Sequence, residues 1–339
     1  MMTANKMNLT PTEERQLLEM TSHGLTKKTW SNYKTAEKML AKCCKELGMK
    51  KELPVDESTV LKFVLWLANT RKLKATTINN YLAGIRQLHI MKGADPPKLR
   101  SNIIQLALKG KKNLEARQDK QTNQPTRKPI TPDILLLIKA RLSESLLKTV
   151  DKRLIWTVCT NAFFGAFRGA ELLCQSEATF DPDYTLMAED IVMIGNPEEV
   201  IQYRIKAPKE DKLGKTVIVD VYKSRDDICP VRAFKKWQDC NPPQHKGQPA
   251  FRWDDGTPLT SRKLNEILKE RLTGYIDNPD KYTTHSFRTG AASMMGTLGY
   301  SDKDIQLMGK WNSRAFESYI RLPRTKRKAV AKDFSGQFD

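Results

Sequence analysis

Several features that define common protein classes are missing from these 339 residues. There is no run of about 18 apolar residues, so we expect no membrane-spanning helix, and the polar N-terminus lacks the apolar core of a signal peptide. The six cysteines form no C-x-x-C pair and have no histidine at metal-ligand spacing. This argues against structural zinc and predicts reduced core thiols in an intracellular protein. A P-loop and a D-x-D cluster are also absent, so neither a metal ion nor another cofactor is expected.

Negative charge is in short supply as well. The chain has 58 Lys and Arg residues against 39 Asp and Glu residues, which gives a formal net charge of +19 at pH 7. A surplus of this size makes a polyanion the expected partner, with nucleic acid ahead of a membrane surface. The alternative is a basic surface that is simply well solvated.

The length allows two domains, each with a core of its own. We predict a polar extension over residues 1–24 and a compact helical unit over residues 25–112, in which apolar periodicity indicates four helices. The fourth helix is expected to end near residue 114. Residues 113–129 contain few apolar residues and several basic and amide side chains, a composition typical of an extended, solvated linker.

The second domain is predicted to span residues 130–325, with residues 326–339 as a basic tail. It begins as helix, but the periodicity changes after Asp190. Three segments rich in β-branched residues predict strands at residues 191–194, 200–205 and 215–221. A lysine-rich turn joins the last two strands. The expected fold class is therefore mainly α, with a small antiparallel sheet inserted into a helical domain.

The last part of this domain concentrates residues that can handle a phosphate. His285 and Arg288 are three residues apart, Trp311 follows 23 residues later, and Tyr319 lies eight residues beyond Trp311. A guanidinium grips phosphoryl oxygens in a planar fork, an imidazole moves protons near neutral pH, and a phenol can be a covalent nucleophile. A lone His-x-x-Arg pair often arises by chance, and a helical tyrosine is usually a packing residue. The ordered set is the stronger signal.

An earlier arginine extends this set. Arg168 follows a mostly apolar helix predicted for residues 154–167, where a charged side chain needs a partner. Glu171, one turn further on, is the expected partner. Taken alone, the two residues would indicate a buried structural ion pair.

In this order, four motifs resemble those of the tyrosine recombinase (phage integrase) family. The motifs are FRGAELL, APKEDK, THSFRTGAAS and LMGKWNSRAFESYIR. The resemblance covers about residues 25–325 and implies a helical, SAM-like core-binding domain that binds DNA, followed by a tyrosine recombinase catalytic domain. The form G-K-W-x-S-x-A-F-x-x-Y-I-R looks most like the recombinases of eukaryotic mobile elements, the Crypton and DIRS-like groups.

The resemblance implies a site-specific recombinase or integrase that needs neither a metal ion nor ATP. Tyr319 would attack the scissile phosphate and form a 3′-phosphotyrosyl link. Arg168 and Arg288 would hold the non-bridging oxygens, and His285 would assist proton transfer. Trp311 would fill the position that is His or Trp across the family, although many members place that residue nine positions before the tyrosine, not eight.

The resemblance also implies a lysine on the β-hairpin that protonates the leaving 5′-oxygen. Lys209 fits best by register, while Lys206 and Lys212 remain open. Glu171 would support Arg168.

Twelve further residues are candidates for DNA contacts, although such residues are ordinarily solvated helix faces. They are Lys27, Lys28, Lys74, Thr76, Thr77, Asn80, Arg86, Lys111, Lys112, Arg117, Arg262 and Lys263. The implied partner is double-stranded DNA with a specific recombination site, bound by a dimer per site and a tetramer in synapsis. The basic tail predicts a nuclear protein if the host is eukaryotic, and a cytoplasmic one otherwise.

Two other functions remain open at this stage. One is a catalytically silent DNA-binding protein derived from a recombinase, and the other is an enzyme similar to type IB topoisomerases. Tyr300 is an alternative nucleophile, but it precedes the helix-cap signal Ser301-Asp302 and is expected to mark a turn.

Overall fold

The computed structural model describes residues 10–25, 27–50, 54–91, 99, 101–122, 127–178, 180–195, 199–206, 216–224, 227–240, 246–311, 314–318 and 320. This part of the chain is mainly helical and contains a three-stranded sheet. The expected fold class, mainly α with a small antiparallel sheet, is therefore confirmed. Two compact units divide the chain between residues 124 and 125.

The described residues of the first unit form helices and the turns that connect them, with no strand. Its helices are α1 (Pro11–His23), α2 (Lys27–Glu46), α3 (Glu57–Leu65), α4 (Ala75–Met91) and α5 (Asn102–Thr122), and a π-helical turn (Trp66–Thr70) extends α3. Local signals explain two of the helix starts. The Asp56 carboxylate accepts the Thr59 N–H at 2.7 Å. Thr10 and Glu13 satisfy each other's backbone N–H groups, as in a capping box.

The close crossing of α2 and α4 organises the core of this unit. Gly84 of α4 lies so near α2 that a Cβ atom on it would come within 2.6 Å of the Ala36 Cβ. His89, also on α4, is fully buried, and its two ring nitrogens are bonded to the Ile85 carbonyl and the Val55 N–H. His89 is thus a packed core residue, as its aliphatic surroundings in the sequence indicate.

Replacing Gly84 with alanine is expected to destabilise the protein by about 1–3 kcal/mol, because the added methyl group forces α2 and α4 apart. Gly110→Ala in α5 is the matched control, since a Cβ atom at Gly110 meets nothing within 4 Å. That control is expected to be neutral or stabilising by up to about 1 kcal/mol, the difference in helix propensity. Urea unfolding of the two variants measures both values, and equal stabilities would contradict the close crossing.

The predicted extended linker is wrong over residues 113–122. These residues continue α5, which runs to Thr122 and not to the expected end near residue 114. A tertiary contact explains the difference: the Glu115 carboxylate accepts the Ala75 N–H at 2.9 Å, at the start of α4. It also lies 3.7 Å from Lys111. The residue types at positions 113–122 favour helix, and Glu115 attaches α5 to the rest of the unit. Residues 123–126 of the predicted linker lie outside the described residues.

The second unit surrounds a small sheet with helices. Its elements are α6 (Pro132–Ser143), α7 (Thr149–Phe164), α8 (Gly169–Leu172), β1 (Ile191–Ile194), β2 (Val200–Ile205), β3 (Val217–Tyr222), α9 (Pro230–Gln238), α10 (Ser261–Leu272), α11 (Thr284–Leu298) and α12 (Asp302–Gly309). Short 3-10 turns cover Ala188–Asp190, Pro279–Lys281 and Arg314–Ser318. The strands are antiparallel in the order β1-β2-β3. All three were predicted within two residues of their bounds.

Helix α7 lies at the centre of this unit, because nearly all of its residues from Leu154 to Phe163 are buried. Phe167, just after α7, packs edge-on against Tyr203 of β2 at 5.0 Å. Helix α11 approaches through its small residues: Gly290 lies against the Ile130 carbonyl, where a Cβ atom would be 1.8 Å from the oxygen. The small residues 290–293 are therefore a packing face, which fixes α11 relative to the start of the unit.

The six cysteines are free thiols, and all but Cys240 are buried. Burial raises the pKa of the Cys43 thiol to about 11 and that of Cys174 to about 11. Because the thiolate is the reactive form, these side chains are inert at neutral pH. The expectation of reduced core thiols is confirmed for the five buried cysteines. No helix in the described part of the chain is long and apolar enough to cross a membrane.

Candidate active site

Arg168 lies where the chain turns from α7 into α8. Its guanidinium donates from Nη1 to Glu171 Oε1 at 2.8 Å, and its backbone N–H donates to Glu171 Oε2 at 2.9 Å. The Glu171 side chain is only 6% exposed, whereas that of Arg168 is 18% exposed. The predicted contact between these two residues is present, and it leaves the arginine partly accessible.

The start of α11 lies directly beside the start of α8. A Cβ atom on Gly169 would come within 2.7 Å of the Thr284 Oγ1, so only glycine fits between Arg168 and this helix. The Thr283 N–H donates to the Ser286 hydroxyl at 3.0 Å, and the Thr284 N–H donates to Asn265 Oδ1 at 2.7 Å. These bonds satisfy the first backbone donors of α11. They place half-buried His285, in the first turn, next to the segment that carries Arg168.

Arg288 joins three separate segments of the second unit. Its side chain is buried, and it donates to the Ala166 carbonyl at 2.6 Å and to the Gly309 carbonyl. Its guanidinium also stacks on the Trp311 ring, 4.1 Å from the centroid. Ala166 has a left-handed backbone, with φ of 45°, which is unusual for a residue other than glycine and typical of functional sites. The α7–α8 turn, α11 and the end of α12 are therefore held together at Arg288.

Helix α12 ends at Gly309, two residues before Trp311. Gly309 is required there, because a Cβ atom on it would lie 1.7 Å from the Trp311 ring. Trp311 packs against Phe316 at a centroid distance of 5.9 Å, and Ile320 contacts the same small cluster. Tyr319, the predicted nucleophile, lies outside the described residues, although Phe316 and Ile320, on either side of it in the chain, belong to the Trp311 cluster.

Lys310 belongs to the same site and was missed at the level of sequence. Its ammonium group donates to the Gly165 carbonyl at 3.3 Å and lies 3.8 Å from Glu171 Oε2. It also lies 4.5 Å from the centroid of the Phe167 ring. One sequence signal for Lys310 was available. It stands nine residues before Tyr319, and many tyrosine recombinases place His or Trp at that spacing.

The hairpin lysines are in different situations. Lys209 and Lys212 lie outside the described residues, so the assignment of the general acid to Lys209 stays a prediction. Lys206 pairs with Asp190 at 2.7 Å and donates to the Pro182 carbonyl at 3.2 Å. The Asp190 side chain is 2% exposed and also accepts the Met187 N–H. These contacts hold Lys206 at the base of the hairpin, which makes it a structural anchor.

The candidate DNA-contacting residues fall on several helices. Lys27 and Lys28 lie in the first turn of α2, and their side chains lie outside the described residues. Thr76, Asn80 and Arg86 are exposed along α4, with half-buried Thr77 on the same helix and exposed Lys74 just before it. Lys112 and Arg117 are exposed on α5, and Arg262 and Lys263 on α10, whereas Lys111 is half-buried beside Glu115. Their roles stay predictions.

We next looked for side chains that could bind a metal ion in the described ranges. There, no three His, Cys, Asp or Glu side chains are grouped so that they could hold a metal ion. Two cations, Arg168 and Lys310, flank the Glu171 carboxylate, and a third, Arg288, bonds to the carbonyl of Ala166, two residues before Arg168. Such an arrangement suits a bound anion, because guanidinium groups bind phosphoryl oxygens.

We compared this chain with known proteins, and its relatives and structural neighbours are recombinases and integrases. An integrase/recombinase XerD homologue from Selenomonas ruminantium is 29% identical, over 71% of this chain and 66% of that protein. This chain thus spans slightly less than two thirds of the length of that relative. No family model matches the chain.

Solved structures of recombinases are similar over most of the chain. The Tn1549 transposon integrase in complex with a circular intermediate DNA has a TM-score of 0.59 at 14% identity and covers 95% of this chain and 98% of its own. A lambda integrase dimer bound to a COC′ core site has a TM-score of 0.57 at 15% identity, with 91% and 93% covered. The XerH site-specific recombinase bound to a palindromic difH substrate has a TM-score of 0.54 at 12% identity, with 87% and 76% covered. The chain has the fold of these site-specific recombinases and integrases.

Proposed function

We propose that this protein is a tyrosine recombinase, which cuts DNA strands and rejoins them at specific sites. One observation carries the proposal: Arg168, the His285–Arg288 pair and Trp311 come from three separate stretches of the sequence, and the segments that carry them meet, namely the α7–α8 turn, the start of α11 and the end of α12. The fold shared with solved recombinases and integrases, and the similarity to the XerD homologue, support the same function.

The proposed chemistry uses side chains of the chain alone. The Tyr319 phenol loses its proton and attacks the scissile phosphorus, so that the bond to the 5′-oxygen breaks and a 3′-phosphotyrosyl ester forms. A lysine of the hairpin, Lys209 in our assignment, gives the leaving 5′-oxygen its proton. Ionising a phenol at pH 7 costs about 4 kcal/mol, and a field of fixed cations offsets this cost. Attack of a 5′-hydroxyl on the ester reverses the steps, so rejoining consumes no ATP.

Arg168 and Arg288 have separate tasks in this proposal. Arg168 is partly exposed, and Glu171 fixes the orientation of its guanidinium, so that it can hold a non-bridging oxygen where charge develops. Arg288 is buried, and its bonds to Ala166 and Gly309 shape the site while its charge contributes to the field. His285, at the start of α11, assists proton transfer, and Trp311 covers the Arg288 guanidinium.

The biological role that we propose is integration or excision of a mobile element, of the Crypton or DIRS-like kind. The motif around Tyr319 and the similarity to a transposon integrase support it. We further propose that a dimer binds each recombination site, that a tetramer forms in synapsis, and that the protein acts in the nucleus if its host is eukaryotic.

Covalent capture tests the proposed reaction. The protein is mixed with sheared DNA from its source organism in the presence of a chelator, the reaction is stopped with SDS, and DNA-linked peptides are identified by mass spectrometry. We expect a nucleotide adduct on Tyr319, and sequencing of the linked DNA would reveal the target site. Tight, salt-sensitive DNA binding without an adduct would instead indicate a catalytically silent DNA-binding protein. Relaxation of a single supercoiled duplex without strand exchange would indicate an enzyme similar to type IB topoisomerases.

A further inference from the structure

The carboxylate of Glu171 is surrounded by more donors than its pairing with Arg168 requires. It is buried, and one oxygen accepts the Arg168 guanidinium while the other accepts the Arg168 backbone N–H. The second oxygen also lies 3.8 Å from the Lys310 ammonium. A buried carboxylate is stable only when it is paired and hydrogen-bonded. Glu171 therefore depends on two cations, which come from segments that are far apart in the sequence of the second unit.

Lys310 occupies a backbone position that suits a different residue. It directly follows α12 with φ of 54°, in the left-handed region, and its N–H bonds back to the carbonyls of the last turn. Glycine is the usual residue at such a position, because a Cβ atom makes the left-handed backbone unfavourable. A lysine that stands there against the local preference indicates a task for its side chain.

The contacts of the Lys310 side chain define that task. The stem is largely buried, with 13% of the side chain exposed. The ammonium lies over the Phe167 ring and donates to the Gly165 carbonyl, and both of these residues belong to the turn just before Arg168. Lys310 therefore contacts the turn that carries Arg168 at two points and the carboxylate that orients Arg168 at a third.

We infer that Lys310 is a positioning residue, which acts through Glu171 to hold the Arg168 guanidinium in the orientation that binds the scissile phosphate. This inference rests on the proposed recombinase function. It assigns the site a residue at the end of α12, beside Gly309 and Trp311. In this arrangement, packing of the α12 end against the α7–α8 turn helps to orient the Arg168 guanidinium.

Cleavage rates in a double-mutant cycle test this role. The variants are Lys310→Met, Glu171→Gln and the double variant, and single-turnover cleavage is measured on a nicked duplex that carries the site recovered by covalent capture. We expect Lys310→Met to slow cleavage by about tenfold, and by less than about threefold in the Glu171→Gln background, since coupled residues are not additive. Lys310→Arg should restore most of the rate. Lys303→Met, at an exposed position of the same helix, is the matched control.

Two outcomes of the cycle would overturn the inference. If Lys310→Met slows cleavage equally in the wild-type and Glu171→Gln backgrounds and also lowers the salt dependence of DNA binding by about one counterion, Lys310 contacts a phosphate directly. If Lys310→Met cleaves at the wild-type rate, it has no part in the site. Lys310→Gly is the control for misfolding, because glycine suits the left-handed backbone and removes the ammonium group. We expect this variant to be folded and to cleave as slowly as Lys310→Met.

A second measurement does not depend on cleavage. In protein with ¹⁵N-labelled arginine, the Nε–Hε signal of Arg168 is assigned by its loss in Arg168→Lys. We expect Lys310→Met to shift this signal and to speed its exchange with water, whereas Lys303→Met should leave it unchanged. If the wild-type protein does not cleave DNA but the signal shifts, the proposed function fails while the positioning contact holds. An unchanged Arg168 signal would overturn the inference even in an active enzyme.

Discussion

Replacing Tyr319 with phenylalanine is expected to abolish covalent attachment to DNA while it leaves DNA affinity within about twofold. The substitution removes one oxygen, the only atom of this side chain that can form the phosphotyrosyl ester, and keeps the ring. Cleavage should fall below detection, because the remaining charged groups stabilise a transition state that no longer has its nucleophile. SDS-resistant adducts on the captured DNA site, counted by gel, measure the loss.

Tyr300→Phe is the matched control for this experiment. Tyr300 is 54% exposed just after α11, and its N–H bonds to the Met295 carbonyl in the turn that ends the helix. This variant should form adducts at the wild-type rate. If Tyr300→Phe loses the adduct and Tyr319→Phe keeps it, the alignment of the motif with the nucleophile is wrong.

Replacing Arg168 with lysine is expected to slow cleavage by about a hundred- to a thousandfold, the usual cost of removing one preorganised donor from a site that stabilises developing charge. The lysine keeps the positive charge beside Glu171, so the protein should stay folded, but it loses the planar fork that holds two oxygens at once. The measurement is single-turnover cleavage at saturating protein, with urea unfolding as the check on stability.

Arg262→Lys provides the comparison for that result. Arg262 lies on α10 with its side chain 89% exposed and pairs with Glu266 one turn away, so it resembles Arg168 in its pairing but not in its burial. Such surface pairs contribute about 0–1 kcal/mol, and we expect a cleavage rate within about threefold of wild type. An equal loss in both variants would mean that the rate reports general DNA binding and not orientation at the phosphate.

Local signals in the sequence predict most of this fold, because they are also its physical causes. The strands β1 and β2 were predicted at their observed bounds, since β-branched runs flanked by turn residues leave little choice of register. The start of α6 has an equally local cause, because the Thr131 hydroxyl accepts the Ile134 N–H and caps the first turn. The pairing of Arg168 with Glu171 followed from the cost of leaving a charge at the end of an apolar helix.

The errors concern contacts between residues that are distant in sequence. The continuation of α5 depends on Glu115, whose partner at the start of α4 lies 40 positions earlier, and composition alone suggested a linker. Lys310 was not singled out from the sequence, because its partners Gly165 and Glu171 are about 140 positions away. The one sequence signal for Lys310 was its position nine residues before Tyr319, and its left-handed backbone became visible only in the structure.

The bonds of Arg288 couple the parts of the site to one another. One guanidinium joins the carbonyl of Ala166, in the turn before Arg168, to the carbonyl before Lys310 and supports the Trp311 ring. Loosening the end of α12 would leave Ala166 without its donor, expose Arg288 and separate Lys310 from Glu171 in a single step. In the proposed recombinase, a partly open site would therefore have its cations dispersed, and a molecule that is not fully folded would not cleave DNA.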